Sequence, residues 1–156
     1  MSLEKVRDYF KQFGLDDKIM EFDVSSATVE MAAKALNCEP KRIAKTLSFK
    51  LGPQCILVLT SGDTRIDNTK YKARFGSRAK MLTAEKVLEK LGYEIGGVCP
   101  FGINDDIPVY LDISLKRFTT VFPGCGSSNS LIELTIAQLE QHTNYSGWVD
   151  VCGGYS

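Results

Sequence analysis

The chain has 156 residues, 44% of them hydrophobic and 24% charged, which is enough apolar material for one compact domain, expected to span residues 1–156. Nineteen Lys and Arg balance nineteen Asp and Glu, so no global field drives the chain onto nucleic acid or an anionic membrane. No run of about 18 apolar residues predicts a membrane span, and five widely spaced cysteines with a single histidine and no C-x-x-C pair argue against a disulfide framework or zinc site and for a reducing cytoplasm.

The elements follow in chain order. Leu3, Val6, Tyr9 and Phe10 fall at helical spacing, so residues 3–13 are expected to be helical and to stop at Gly14. A short strand is expected over 18–22. Ser25 and Ser26 offer N-caps for a helix over 29–36, which Asn37 and Pro40 close. Two strands, 43–51 and 54–61, flank the turn Gly52-Pro53. Helices follow at 68–75, closed by Gly76, and at 83–91, capped by Thr83 and stopped by Gly92. Further strands are expected at 108–113, 118–122, 131–134 and 148–152, and Thr135 caps a helix over 136–142. Helices and strands are interspersed without a strict βαβ rhythm, which predicts an α+β fold with a mixed sheet.

Four features carry candidate chemistry. The first is Gly96-Gly97-Val98-Cys99-Pro100-Phe101-Gly102, a preset loop whose backbone N–H groups can approach another molecule closely. It is equally a connector between the helix ending at Leu91 and the strand near Val109. The second is Lys45, which strand alternation puts on the apolar face with Ile43, Leu47 and Phe49. An unpaired ammonium there is costly, so it reaches a carboxylate, a carbonyl or a ligand phosphate, or else it guards an edge or snorkels out past the rim. The third is 123–130, with Gly124, Gly126, Ser127 and Ser128, suited to N–H and O–H donation or simply to a long turn; it lacks P-loop spacing. The fourth is the stretch Arg65–Lys80, with six cations against Asp67 and with Tyr71 and Phe75 interleaved, either a phosphate-tracking patch or a solvated helix face. His142 ends a helix, where a cation is favoured. Cys99 and Cys125 offer thiols, without an evident base in sequence.

These pieces together resemble the YbaK/EbsC family, related to the editing insertion of bacterial prolyl-tRNA synthetases. The resemblance rests on Ala32-Ala33 and Leu36, Lys45-Thr46, Lys80-Met81-Leu82, the 96–102 loop, Val109–Asp112, Ser114-Leu115, Gly124, 126–130 and 132–135. It implies a mixed, largely antiparallel sheet surrounded by helices, and a free-standing deacylase. Such an enzyme would hydrolyse mischarged aminoacyl-tRNA bearing a small amino acid such as Ala, Cys, Ser or Thr. Carried over, Lys45 contacts the substrate's 3′ end. Gly96 and Gly97 are expected as catalytic donors. Val98, Cys99, Pro100, Phe101, Gly102, Gly124, Gly126 and Ser127 are expected to line the aminoacyl pocket. The implied partner is tRNA, with docking on a synthetase left open, and neither metal nor cofactor is implied. A non-catalytic tRNA-binding module and a thiol enzyme using Cys99 or Cys125 are the alternatives.

Overall fold

A computed structural model describes residues 3–94, 96–104 and 106–155. The helices are α1 (Leu3–Lys11), α2 (Val29–Leu36), α3 (Asn68–Phe75), α4 (Ala84–Leu91) and α5 (Ile136–His142). The strands are β1 (Met20–Glu21), β2 (Ile43–Leu51), β3 (Gln54–Ser61), β4 (Arg65–Ile66), β5 (Val109–Asp112), β6 (Thr120–Pro123), β7 (Ser130–Leu131), β8 (Leu134–Thr135), β9 (Gly147–Val149) and β10 (Cys152–Gly153).

Local chemistry sets most of these boundaries. Asp67, Thr83 and Thr135 each cap a helix by accepting a backbone N–H, and Gly76 and Gly92 close α3 and α4 at positive φ. The cap of α2 is Thr28, not Ser25 or Ser26; those two hydroxyls instead donate to the Ser128 carbonyl. The helix therefore starts where the sequence predicts, while the serines tie the preceding segment to a distant loop.

Six strands form one sheet in the order β8-β6-β2-β3-β5-β9. It is mixed, as expected. Its central β2–β3 hairpin is antiparallel, and so is β6–β8, whereas β6 on β2, β5 on β3 and β9 on β5 join in parallel. Two expected strands are divided because the chain changes partner midway. Residues 130–131 pair with β1 and 134–135 with β6; 147–149 pair with β5 and 152–153 with β4.

Helices cover both faces of the sheet. Val6 and Phe10 of α1, Val87 and Leu91 of α4 and Leu139 of α5 pack with Ala44, Leu57 and Leu59. On the other face Tyr71 of α3 packs with Phe49, Ile56 and Val58, and Ala32 and Ala33 of α2 pack with Ile43 and Phe122. Each such large apolar side chain stabilises the fold by about 1.5–3 kcal/mol when fully buried. Tyr71 is fully buried and Phe75 packs against the same cluster, so these aromatics are core and do not form a stacking surface among the cations of α3. Lys70 pairs with Asp150, and Arg74 lies over Phe75 and Tyr110. Among the described residues no helix is long and apolar enough to cross a membrane.

Candidate functional site

A cavity of about 380 Å³ opens where β2 loses its sheet neighbour. β6 pairs only with the start of β2, at Ile43 and Ala44. Farther on, Met81 bridges to Phe49, Lys50 N–H donates to Lys80 O at 2.8 Å and Leu82 N–H donates to Ser48 O at 3.1 Å. Between those contacts, β2 has an edge that no described strand covers. Both faces of β2 border the cavity there. Lys45 and Leu47 belong to the face of Phe49, and Ala44, Thr46 and Ser48 to the face of Leu57 and Leu59.

Four other segments close the walls. Residues 22–28 run along 128–130. Phe22 N–H donates to Asn129 O, Asn129 Nδ2 returns a bond to Phe22 O, each at 2.9 Å, and Ser26 N–H donates to Ser128 O at 2.6 Å. The two glycine loops meet directly: a Cβ on Gly97 would stand 3.1 Å from Gly126 O. Gly96, at φ +89°, turns beneath Ala27, whose Cβ would lie 3.0 Å from a Cβ at Gly96. Met81, Leu82 and Val87 complete the wall from α4 and the segment before it.

The structure brings together Lys45, Gly96, Val98, Gly124 and Ser127 as lining residues. It places the rest of the sequence-expected set elsewhere. Gly97 and Gly126 form the backbone contact behind the cavity, and Gly97 N–H is engaged by Glu94 O at 3.0 Å. Gly97 therefore serves as spacer, with its N–H withdrawn from the donor role expected of it. Cys99 is fully buried, its Sγ 3.5 Å from the Tyr93 hydroxyl, which itself donates to Phe101 O at 3.0 Å. Phe101 is also fully buried and packs on Phe10 with ring centroids 4.7 Å apart. Pro100 and Gly102 line a separate cavity of about 80 Å³ beside Tyr9 and His142. The reason is the apolar composition of the loop: Cys99 and Phe101 anchor it in the core, which leaves only its first turn, at 96–98, facing the cavity.

Lys45 Nζ donates to Thr64 O at 2.6 Å, one of the partner types that its inward position calls for. Burial pulls its pKa below the ordinary lysine value, partly offset by Cys152 and Asp63. The carbonyl it uses is fixed by its surroundings. Thr64 Oγ1 donates to Ser61 O at 2.7 Å, and Arg117 Nη2 donates to Asp63 Oδ1 and Ser61 Oγ, both at 2.6 Å. The Arg117 hydrogen bond holds the Asp63 carboxyl below the usual range. Sequence reasoning missed this Asp63–Arg117 brace; the turn composition Ser61-Gly62-Asp63-Thr64 was its only local signal.

Hydrogen-bond direction at the serine loop follows from proton counting. Asn129 Nδ2 faces Phe22 O, so Asn129 Oδ1 accepts the Ser127 proton at 2.9 Å. Ser130 Oγ, 2.6 Å from Ser127 Oγ, is then the donor of that pair. Both serines border the cavity, and with their hydroxyl protons committed only lone pairs are left for a further partner.

The thiols are unsuited to nucleophilic work. Cys99 and Cys125 are fully buried. Burial pushes the Cys99 pKa up to about 11 and that of Cys125 well above its ordinary value. The thiol-enzyme alternative therefore fails on access and on ionisation. His142 is 3% exposed, and burial lowers its pKa, which overturns the expected helix-end cation. Among the described residues no three His, Cys, Asp or Glu side chains group as metal ligands would.

Known proteins resemble this chain along most of its length. A family model for the aminoacyl-tRNA editing domain matches residues 23–141. The uncharacterized protein YwhH of Bacillus subtilis (strain 168) is 52% identical over 153 residues, covering 97% of this chain and 98% of that one. A proline–tRNA ligase of Bacillus pumilus (strain SAFR-032) is 29% identical over 103 residues, which are 65% of this chain and 18% of the ligase. The crystal structure of a candidate trans-editing enzyme for prolyl tRNA synthetase superposes with a TM-score of 0.86 at 31% identity, covering 97% of each chain.

Proposed function

Because the chain belongs to the aminoacyl-tRNA editing domain family, we propose that it is a deacylase that hydrolyses the ester linking a small, wrongly attached amino acid to the 3′ end of a tRNA. The observation that carries this reading is the cavity at the β2 edge, bordered by Lys45, the first turn of one glycine loop and the serines of the other. Its volume of about 380 Å³ lies near the lower end of the roughly 300–1,000 Å³ usual for small-molecule sites. That size suits an aminoacyl group on its ribose and excludes a duplex.

An aminoacyl ester is already activated, so positioning and charge stabilisation supply most of what its hydrolysis needs. Lys45 has three ammonium protons, and Thr64 O takes one. The remaining two hold the ribose or the terminal phosphate. Ser127 and Ser130, whose hydroxyl protons are already in use, accept hydrogen bonds from the attacking water and orient its oxygen toward the carbonyl carbon. The water oxygen bonds to that carbon, and the carbonyl oxygen takes up negative charge. Gly96 lines the cavity, and its N–H has no partner among the described residues, so it is placed to donate to this oxyanion. Collapse of the tetrahedral species breaks the bond to the ribose oxygen. That oxygen leaves as the tRNA hydroxyl with one of the water's protons, the free amino acid keeps the carbonyl and water oxygens as its carboxylate, and the water's second proton passes to solvent. Val87, Val98 and Leu82 make the wall apolar and confine the side chain. One methylene is worth only about 1–3 kcal/mol of discrimination, so selectivity has to come from steric exclusion of the larger, correct amino acid.

The test is a panel of tRNAs charged with Ala, Cys, Ser or Thr, beginning with tRNA for proline because of the ligase relatives. Wild type is expected to release amino acid, Lys45→Ala to lose most of that activity while keeping its fold, and Cys99→Ala to retain it. Unchanged turnover in Lys45→Ala removes the role given to the lysine. Binding of tRNA with no hydrolysis anywhere in the panel replaces the deacylase with a binding module.

A further inference from the structure

We infer that the uncovered edge of β2 at Thr46 is the subsite for the backbone of the ester's amino acid, which enters as the missing rung of the sheet. This inference rests on the deacylase reading and specifies how the same cavity holds its substrate.

Hydrogen-bonding direction alternates along an antiparallel strand, so each residue of β2 directs both its N–H and its C=O either to β3 or away from it. Parity is fixed by two bonds on the outer side: Lys50 N–H to Lys80 O and Leu82 N–H to Ser48 O. Even-numbered residues therefore point outward, and Lys45 and Leu47 serve β3. At Ala44 the outward groups face β6, and at Ser48 and Lys50 they meet the 80–82 segment. Thr46 lies between, and among the described residues its N–H and C=O have no partner. A second observation falls at the same residue: Thr46 Oγ1 is buried without a hydrogen-bond partner. Thr46 is partly exposed to the cavity, so its unpaired N–H and C=O are open to a ligand, and only the buried hydroxyl bears the cost of an unsatisfied polar group.

An aminoacyl ester has the complementary groups at the matching spacing. Its α-ammonium donates and its carbonyl oxygen accepts, and both sit on one residue, as in a paired strand residue. Set opposite Thr46, the ammonium donates to Thr46 O while Thr46 N–H donates to the ester carbonyl. The rung thus holds the carbonyl beside Gly96 and turns the side chain to one face of the sheet.

The test compares two non-hydrolysable adenosine amides, 3′-alanylamido- and 3′-propionylamido-3′-deoxyadenosine, which differ only in the α-amino group. On the wild-type protein the alanyl analogue is expected to bind about tenfold to a hundredfold more tightly, the value of one charge-assisted hydrogen bond, and to move the ¹⁵N–¹H resonance of Thr46. Thr46→Pro removes the outward N–H together with the hydroxyl, and Thr46→Val removes the hydroxyl alone; Thr46→Pro is expected to bind the alanyl analogue more weakly than Thr46→Val does, and if the proline variant does not fold, the wild-type amide resonance decides. Equal affinities, or an unmoved Thr46 amide in the bound state, overturn the rung. Hydrolysis of charged tRNA by the same preparation is read separately. Turnover without discrimination between the analogues removes the rung alone, whereas absence of turnover throughout the panel removes the deacylase reading.

Discussion

Replacing Gly97 by Ala tests whether the contact between the two glycine loops sets the geometry of the cavity. A Cβ at this position would stand 3.1 Å from Gly126 O and 3.3 Å from Gly126 C, about 0.3 Å inside ordinary contact with the oxygen. Both neighbours are backbone and cannot swing aside as a side chain would. Gly97 does not have positive φ, so the substitution adds a steric wedge without backbone strain. Overpacking of this kind costs typically 1–3 kcal/mol. At the lower end that lowers Tm by about 2–4 °C for a chain of this size. The wedge separates Gly96 from Ser127 across the cavity. A 1 Å misplacement costs about a hundredfold in rate, so a few tenths of an ångström predict roughly a threefold to tenfold fall in kcat/KM. The assay is deacylation of the best substrate of the charged-tRNA panel, with thermal denaturation beside it. Gly76→Ala is the control: its φ is +83° and nothing lies within 4 Å of the added methyl. It carries strain at a residue that does not line the cavity, and is expected to lower Tm by a few degrees with kcat/KM unchanged. Wild-type kcat/KM in Gly97→Ala, or an equal kcat/KM loss in both variants, refutes the reasoning.

Two further outcomes follow from burial. Cys99→Ala removes a sulfur from the core and is expected to cost about 1–2 kcal/mol of stability with kcat/KM retained; native protein treated with iodoacetamide is expected to keep its activity, and inactivation by labelling of Cys99 or Cys125 would restore the thiol mechanism. His142 is kept neutral by burial, with a folded pKa below its ordinary 6.5. The unfolded chain therefore binds the extra proton first, so this group's contribution to stability is complete above about pH 6.5 and is lost as the pH falls toward the folded pKa. Thermal melts between about pH 7.5 and 5.5 are expected to show a steeper fall in Tm for wild type than for His142→Phe; parallel curves contradict this.

The local code was legible because its causes are local. Capping residues, closing glycines and the Gly52-Pro53 turn placed α3, α5 and the β2–β3 hairpin at their observed ends. The divided strands at 130–135 and 147–153 were not legible, because which partner a short apolar segment pairs with depends on what arrives beside it. The site divides in the same way. An inward Lys45 and an unusual loop at 96–102 could be singled out from alternation and composition. That Gly97 N–H is spent on Glu94, that Cys99 and Phe101 turn into the core, and that Arg117 braces the turn holding the lysine are all consequences of contacts distant in sequence.

By itself the sequence determined the α+β class, the sequence positions of the main helices and strands, and membership of the editing family, since periodicity, capping and motif all reside in neighbouring residues. Only the tertiary structure decided where the cavity lies. It opens because β6 leaves β2 after Ala44 and the 80–82 segment joins it at Ser48, so the polar groups of Thr46 remain unpaired between them. An uncovered strand edge is a property of what fails to pack beside a strand, and no pattern within the strand encodes it.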